Sequence, residues 1–178
     1  MYSWLILVTA LIAVMCVVLT LVHDRSQYKV MLGFISVLYV LSVVYFTFFR
    51  GERNNLSRIS LKLPTHFIRA IQTGKYRAVT HRSLLNLLLF VPYGYLLPQV
   101  MIVAVKKTRK AWWQITLCGF LSSLLIETGQ FVFRRGVFEL DDLLKNTMGT
   151  VVGWLIWKVI TIITCSNSKK KEGSYADE

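Results

Sequence analysis

Acidic residues are scarce in this 178-residue chain: 9 Asp and Glu stand against 21 Lys and Arg, for a formal net charge of +12. Such an excess suits nucleic acid, but no recognition module accompanies it, so no nucleic-acid partner is expected. The basic residues lie instead at Arg25 and Lys29, between Arg50 and Arg82, between Lys106 and Lys110, and at Lys169, Lys170 and Lys171. That is the placement of loops meeting anionic lipid headgroups. Cysteine is equally sparse. Cys16, Cys118 and Cys165 are far apart in sequence and form neither a metal-ligand spacing nor an evident disulfide pair. His23, His66 and His81 fall in connections without a second histidine at i+4, which argues against zinc. No metal and no cofactor is expected. Charged residues of both signs make up only 17% of the chain, too few for a soluble domain of this size.

What the chain has in abundance is apolar sequence: 54% of it is hydrophobic and the mean hydropathy is +0.52. A bilayer core of ~30 Å needs about 20 apolar helical residues. Five runs approach that length, roughly Tyr2–Val22, Val30–Phe49, Leu84–Val105, Ala111–Phe133 and Thr147–Thr164. The first has no basic segment before it and no small-residue cleavage pattern after it, so it is expected to be a retained span and not a removed signal. The fold class is therefore all-α, a polytopic transmembrane helical bundle of about five spans. It forms one domain over 1–165, followed by a polar tail at 166–178 that its lysines, glycine and acids mark as disordered. The 50–83 connection carries one more feature. Thr65 can cap and Gly74 end a helix with Phe67, Ile68 and Ile71 on one side and Arg69 and Gln72 on the other, a basic amphipathic segment suited to the interface. A charged loop touching headgroups is the plainer alternative.

Within the spans, polar residues are the informative ones. Glu127 sits in the fourth run, where a carboxylate at mid-membrane costs roughly 2.5–3.5 kcal/mol on insertion scales. Gln130 follows on the same helical face, and Asp141, Asp142 and Asn146 open the fifth run. If the spans alternate in direction, Arg50, Asn86, Glu127, Gln130, Arg135, Asp141, Asp142 and Asn146 all gather at one side of the membrane. Glu127 and Gln130 then serve a ligand, ion or proton site, or a buried polar network that holds two spans together. Arg135 and the neighbouring acids either tie off a surface link as ion pairs or grip a phosphate or carboxylate, with the acids open to divalent cation binding or proton transfer. Pro92 and Pro98 fall inside the third run, so a kink near Leu88 is expected, for packing or to free a carbonyl. Gly149 and Gly153 permit close helix approach. Positive charge close to the span ends at Lys106–Lys110 and in the tail favours an outside N-terminus and an inside C-terminus, in a multi-pass protein of the cell membrane.

Three blocks in this order, Asn86-Leu-Leu-Leu-Phe-Val-Pro-Tyr-Gly-Tyr-Leu-Leu-Pro98, Glu127-x-x-Gln130, and Arg135-Gly-Val-Phe-Glu-Leu-Asp-Asp-Leu-Leu-Lys-Asn-Thr-Met-Gly149 running into Gly153, resemble the VanZ-like family of small bacterial membrane proteins. Arg50 also fits its pattern. The chain departs from it at Glu139, where aspartate is usual, and at Lys145, where an apolar residue is usual and where pairing with Asp141 becomes available. The resemblance implies a helical membrane protein of a family whose founding member is associated with resistance to teicoplanin, a lipid-tailed glycopeptide, and it supplies no accepted mechanism. The reading that follows is a protein that binds an amphiphile, a lipid-linked envelope precursor or a lipoglycopeptide among membrane lipids. Glu127, Asp141 and Asp142 would recognise charge, Arg50 and Arg135 phosphate, and Asn86, Gln130 and Asn146 would orient the headgroup. The alternatives are an intramembrane enzyme acting on a lipid phosphate, although no established catalytic motif is present, and a structural scaffold or small transporter. Oligomeric state is not legible.

Overall fold

The computed structural model describes residues 11–12, 14–16, 18–19, 22, 24–49, 59–60, 76–105, 112–134 and 138–176. Among them, four helices are long and apolar enough to cross a bilayer, over Arg25–Phe48, Leu84–Val103, Trp112–Val132 and Leu140–Ser166. The first apolar run, Tyr2–Val22, lies largely outside the described residues. Its described positions between 11 and 19 are helical. Ile12, Cys16 and Leu19, spaced as one face of a helix, are buried in a common cluster with Leu32, Ile35, Tyr39, Val43, Tyr95 and Leu96. The protein is thus an all-α bundle.

Helix α1, Arg25–Val44, starts five residues before its apolar run because Asp24 caps it. The Asp24 carboxylate accepts from the backbone N–H of Ser26 at 2.6 Å and of Gln27 at 3.1 Å. This satisfies two otherwise orphaned donors and places negative charge at the positive end of the helix dipole, a cap that stabilises by about 0.5–2 kcal/mol. The helix passes into a π turn over Tyr45–Phe49, and Phe48 meets Phe133 edge-on with ring centroids 5.8 Å apart. Hydropathy cannot tell the inner from the outer face here. Val30, Phe34, Val37 and Leu41 are exposed on the bundle's outside while Leu32, Ile35, Tyr39 and Val43 are inside, as a lipid solvent allows.

Helix α2, Tyr76–Val105, begins eight residues before the third apolar run. The polar side chains of that stretch end the hydropathy signal without containing a helix breaker. The helix stays unbroken through Pro92 and Pro98, each of which leaves the carbonyl four residues back without its usual donor. Beside the first of these, the Tyr39 hydroxyl of α1 donates to the Leu89 carbonyl at 3.0 Å. Leu89 is one residue past the freed Leu88 carbonyl, so this bond ties α1 to α2 and does not replace the donor lost at Pro92.

Helices α3, Trp112–Val132, and α4, Leu140–Ala176, complete the described bundle. Helix α3 buries Ile115, Gly119, Ser123 and Glu127, a strict i+4 stripe. Helices α2 and α4 approach backbone to backbone: a Cβ at Gly94 would collide with the Thr150 carbonyl, at Gly149 with that of Leu87, and at Gly153 with that of Val91. The small residues thus serve the close approach anticipated for them. Helix α4 stays helical to Ala176, past Ser166, where composition suggests a disordered tail. Lys and Glu are good helix formers, and a helix already nucleated extends at little cost. The amphipathic segment expected around 65–74 lies outside the described residues. Within that connection, β1 (Ile59–Ser60) pairs in parallel with β2 (Phe138–Glu139), Ile59 opposite Phe138 and Ser60 opposite Glu139.

Candidate functional site

Helix directions bring the polar residues together. On facing stripes of α3 and α4, Gly119 meets Thr150, Ser123 meets Asn146 and Glu127 neighbours Asp142, one turn per step in antiparallel order. Helix α2 runs alongside α4 in the same sense, with Leu87 at Gly149 and Val91 at Gly153. Its Asn86 side chain is a hydrogen-bond partner of the Asp142 carboxylate. The end of α1 joins the same level, since a Cβ at Gly129 would stand 2.8 Å from the Phe48 ring.

Glu127 is 3% exposed. Its carboxylate accepts from the Glu139 backbone N–H at 3.3 Å, and its electrostatic neighbours are the acids Asp142 and Glu139. Buried charge without a counter-charge is costly. Because β2 leads directly into α4, the link that returns the chain to the membrane also delivers this N–H to Glu127. Asp141 is ion-paired with Lys145, whose ammonium is 4.0 Å from Asp142. Lys145 therefore supplies a cation to two of the acids, as its i+4 spacing from Asp141 suggests.

One turn deeper, Asn146 donates from Nδ2 to the Ser123 hydroxyl at 2.9 Å. Its backbone carbonyl accepts from the Thr150 hydroxyl at 3.1 Å. Asn146 is 4% exposed, and its Oδ1 accepts no hydrogen bond from any described residue. Buried polar atoms are nearly always satisfied, so this one stands out.

Of the residues singled out from sequence, Asn86, Glu127, Asp141, Asp142 and Asn146 do converge. Gln130 is half-buried one turn beyond Glu127 and makes no side-chain hydrogen bond with another described residue. Arg50 and Arg135 lie outside the described residues. Next to Arg135, Arg134 is exposed and ends α3 in the left-handed region, with φ 55°. No group of three His, Cys, Asp or Glu among the described residues is disposed to hold a metal ion.

Sequence reasoning missed Ser123 and Thr150, both fully buried. The signal was available: Gly119, Ser123 and Glu127 share one i+4 stripe, and Asn146 and Thr150 share its counterpart. It also missed a second polar chain. The Tyr28 hydroxyl donates to Gln99 Oε1 at 2.7 Å, Gln99 Nε2 to the Tyr95 carbonyl at 2.8 Å, and the Tyr95 hydroxyl to the Cys16 carbonyl at 3.1 Å. Its members sit on α1, α2 and the first run, away from the acids, and each is satisfied, so it reads as interhelical fastening.

The acidic site can thus offer carboxylates and amides to a polar group at one end of a bundle otherwise faced with hydrocarbon side chains. The family model described as VanZ/LLP1 matches residues 34–161. No curated protein and no solved structure matches significantly. The matched region takes in α1 from its tenth residue, all of α2 and α3, and α4 through Thr161, hence every described residue of the acidic site, and the protein belongs to the VanZ/LLP1 family of membrane proteins, a family linked to resistance.

Proposed function

We propose that this protein binds an amphiphile or a lipid-linked envelope precursor at the polar end of its bundle and so lowers the action of teicoplanin-type lipoglycopeptides on the cell. One observation carries the reading: Asn86, Glu127, Glu139 and Asp142, drawn from three helices and one link, meet at one level, with Asn146 one turn deeper. An amphiphile fits such a place because its tail can lie along the apolar outer faces while its headgroup meets hydrogen-bonding side chains. Glu127, Asp141 and Asp142 would recognise charge. Asn86, Gln130 and Asn146 would orient the headgroup, and Arg50 and Arg135 would hold phosphate with forked geometry. The protein would sit in the cell membrane with its N-terminus outside, its C-terminus inside and this site facing outward.

The test is Glu127→Gln, which keeps shape and removes charge, expressed in a teicoplanin-susceptible bacterium at membrane abundance equal to the parent chain. The parent should raise the inhibitory concentration of teicoplanin and the variant should not. A variant that protects as well as the parent would remove Glu127 from the mechanism.

A further inference from the structure

Glu127 and Asn146, which the amphiphile reading also uses, form with Ser123 an arrangement whose unmet bonding capacity that reading leaves open. Glu127 is buried to 3% and Asn146 to 4% exposure, and Ser123 is fully buried. All three lie where α3 faces α4, on adjoining turns. Asn146 Oδ1 is an acceptor without a donor among the described residues, and Glu127 receives one backbone N–H and faces two further acids. Asp141 and Asp142 differ, because Lys145 attends both and Asn86 bonds Asp142. Among the described residues, the deep level is thus rich in oxygen acceptors and short of positive charge.

We infer that this level between α3 and α4 is a binding site for a small dehydrated monovalent cation, held by the Glu127 carboxylate, Asn146 Oδ1 and the Ser123 hydroxyl oxygen. An alkali cation satisfies both deficits at once. It neutralises one carboxylate and accepts electron density from a neutral amide and a hydroxyl oxygen. A divalent ion is the poorer match, since it favours several carboxylates, and no three acids, histidines or cysteines among the described residues are disposed around one point. The strength of the arrangement lies in chain order. Ser123 and Glu127 are i and i+4 on α3, and Asn146 is held toward them by its own Nδ2 bond to Ser123.

This inference stands on the α3–α4 contact and not on the amphiphile reading, and its test needs no antibiotic. The purified full-length chain in detergent or lipid nanodiscs is melted, following tryptophan fluorescence, in sodium or potassium chloride against choline chloride at equal ionic strength. A ligand that binds the folded state raises the melting temperature by mass action. Sodium or potassium should raise it saturably, by about 3 °C or more at tenfold excess over the dissociation constant, while choline, too large to enter, should not. Glu127→Gln and Asn146→Ala should each lose the alkali-dependent part whatever their stability in choline. The parent chain alone can overturn the idea. Identical melting in sodium, potassium and choline would mean that a proton or a buried water serves these atoms, and a full response retained in both variants would place the ion elsewhere. Loss of resistance in Glu127→Gln without any alkali dependence would uphold the amphiphile reading and sink this one.

Discussion

Replacing Gly153 by alanine tests whether the close approach of α2 and α4 holds the bundle together. The new methyl would stand 2.9 Å from the Tyr95 amide nitrogen and closer still to the Val91 carbonyl oxygen, whereas unstrained contacts of carbon lie at about 3.5 Å or more. Both neighbours are backbone, so no side chain can swing aside and the helices must separate. Overpacking of this kind costs about 1–3 kcal/mol. Alanine also recovers about 1 kcal/mol of helix propensity over glycine, leaving a net loss of up to about 2 kcal/mol. For a chain of this size that is a fall of up to about 8 °C in melting temperature. Gly33 provides the control: it lies on the exposed face of α1 and a Cβ there meets nothing within 4 Å, so Gly33→Ala should leave stability unchanged or raise it. Gly149 is one turn away on the same contact, against the Leu87 carbonyl and 3.0 Å from Phe90 Cβ. Once one methyl has parted the helices, the second should cost less than it does alone, and the double variant should fall short of additivity. The assay is thermal unfolding of the purified proteins in one detergent, with reversibility checked. A Gly153→Ala protein harmed no more than Gly33→Ala would refute the packing argument.

Two further substitutions probe other parts of the architecture. Tyr28→Phe removes the donor to Gln99 Oε1 and should cost about 1–3 kcal/mol as a buried acceptor loses its partner; Tyr28→Phe combined with Gln99→Leu should recover much of that loss, and a double variant no better than the sum of the singles would show that the pair is not coupled. Arg134→Gly relieves a left-handed backbone that disfavours a Cβ and should stabilise by up to about 1 kcal/mol in the same melting assay, whereas Arg134→Ala, which keeps the Cβ, should gain nothing comparable.

Membrane architecture was largely legible from hydropathy, because the bilayer demands long apolar runs and the chain contains them. The edges of those runs were less so. Asp24 extends α1 beyond its apolar stretch, and α2 begins at Tyr76 inside a segment with no hydrophobic signal, since a helix ends at a cap or a breaker and not where polarity begins. Intramembrane acids and amides marked the site for a similar reason: charge is expensive in lipid, so Glu127 called attention to itself. Ser123 and Thr150 did not. A serine or threonine in a membrane helix can bond its own backbone, as Ser36 does to the Leu32 carbonyl at 2.7 Å, and so carries little information until its neighbours are known.

Composition and order along the chain were enough to settle that this is a helical membrane protein with acids at the start of its last span, because the cost of transferring charge and backbone into hydrocarbon depends on the residues themselves. Which partner each acid would have was settled only by the packed helices. Beyond the Lys145 pairs, which lie within one helix, Asn86 reaches Asp142 from α2, the return link turns a backbone N–H toward Glu127, and Asn146 Oδ1 is left without a donor among the described residues. Those outcomes depend on crossing distance and rotation, which here are governed by where glycines let two backbones touch.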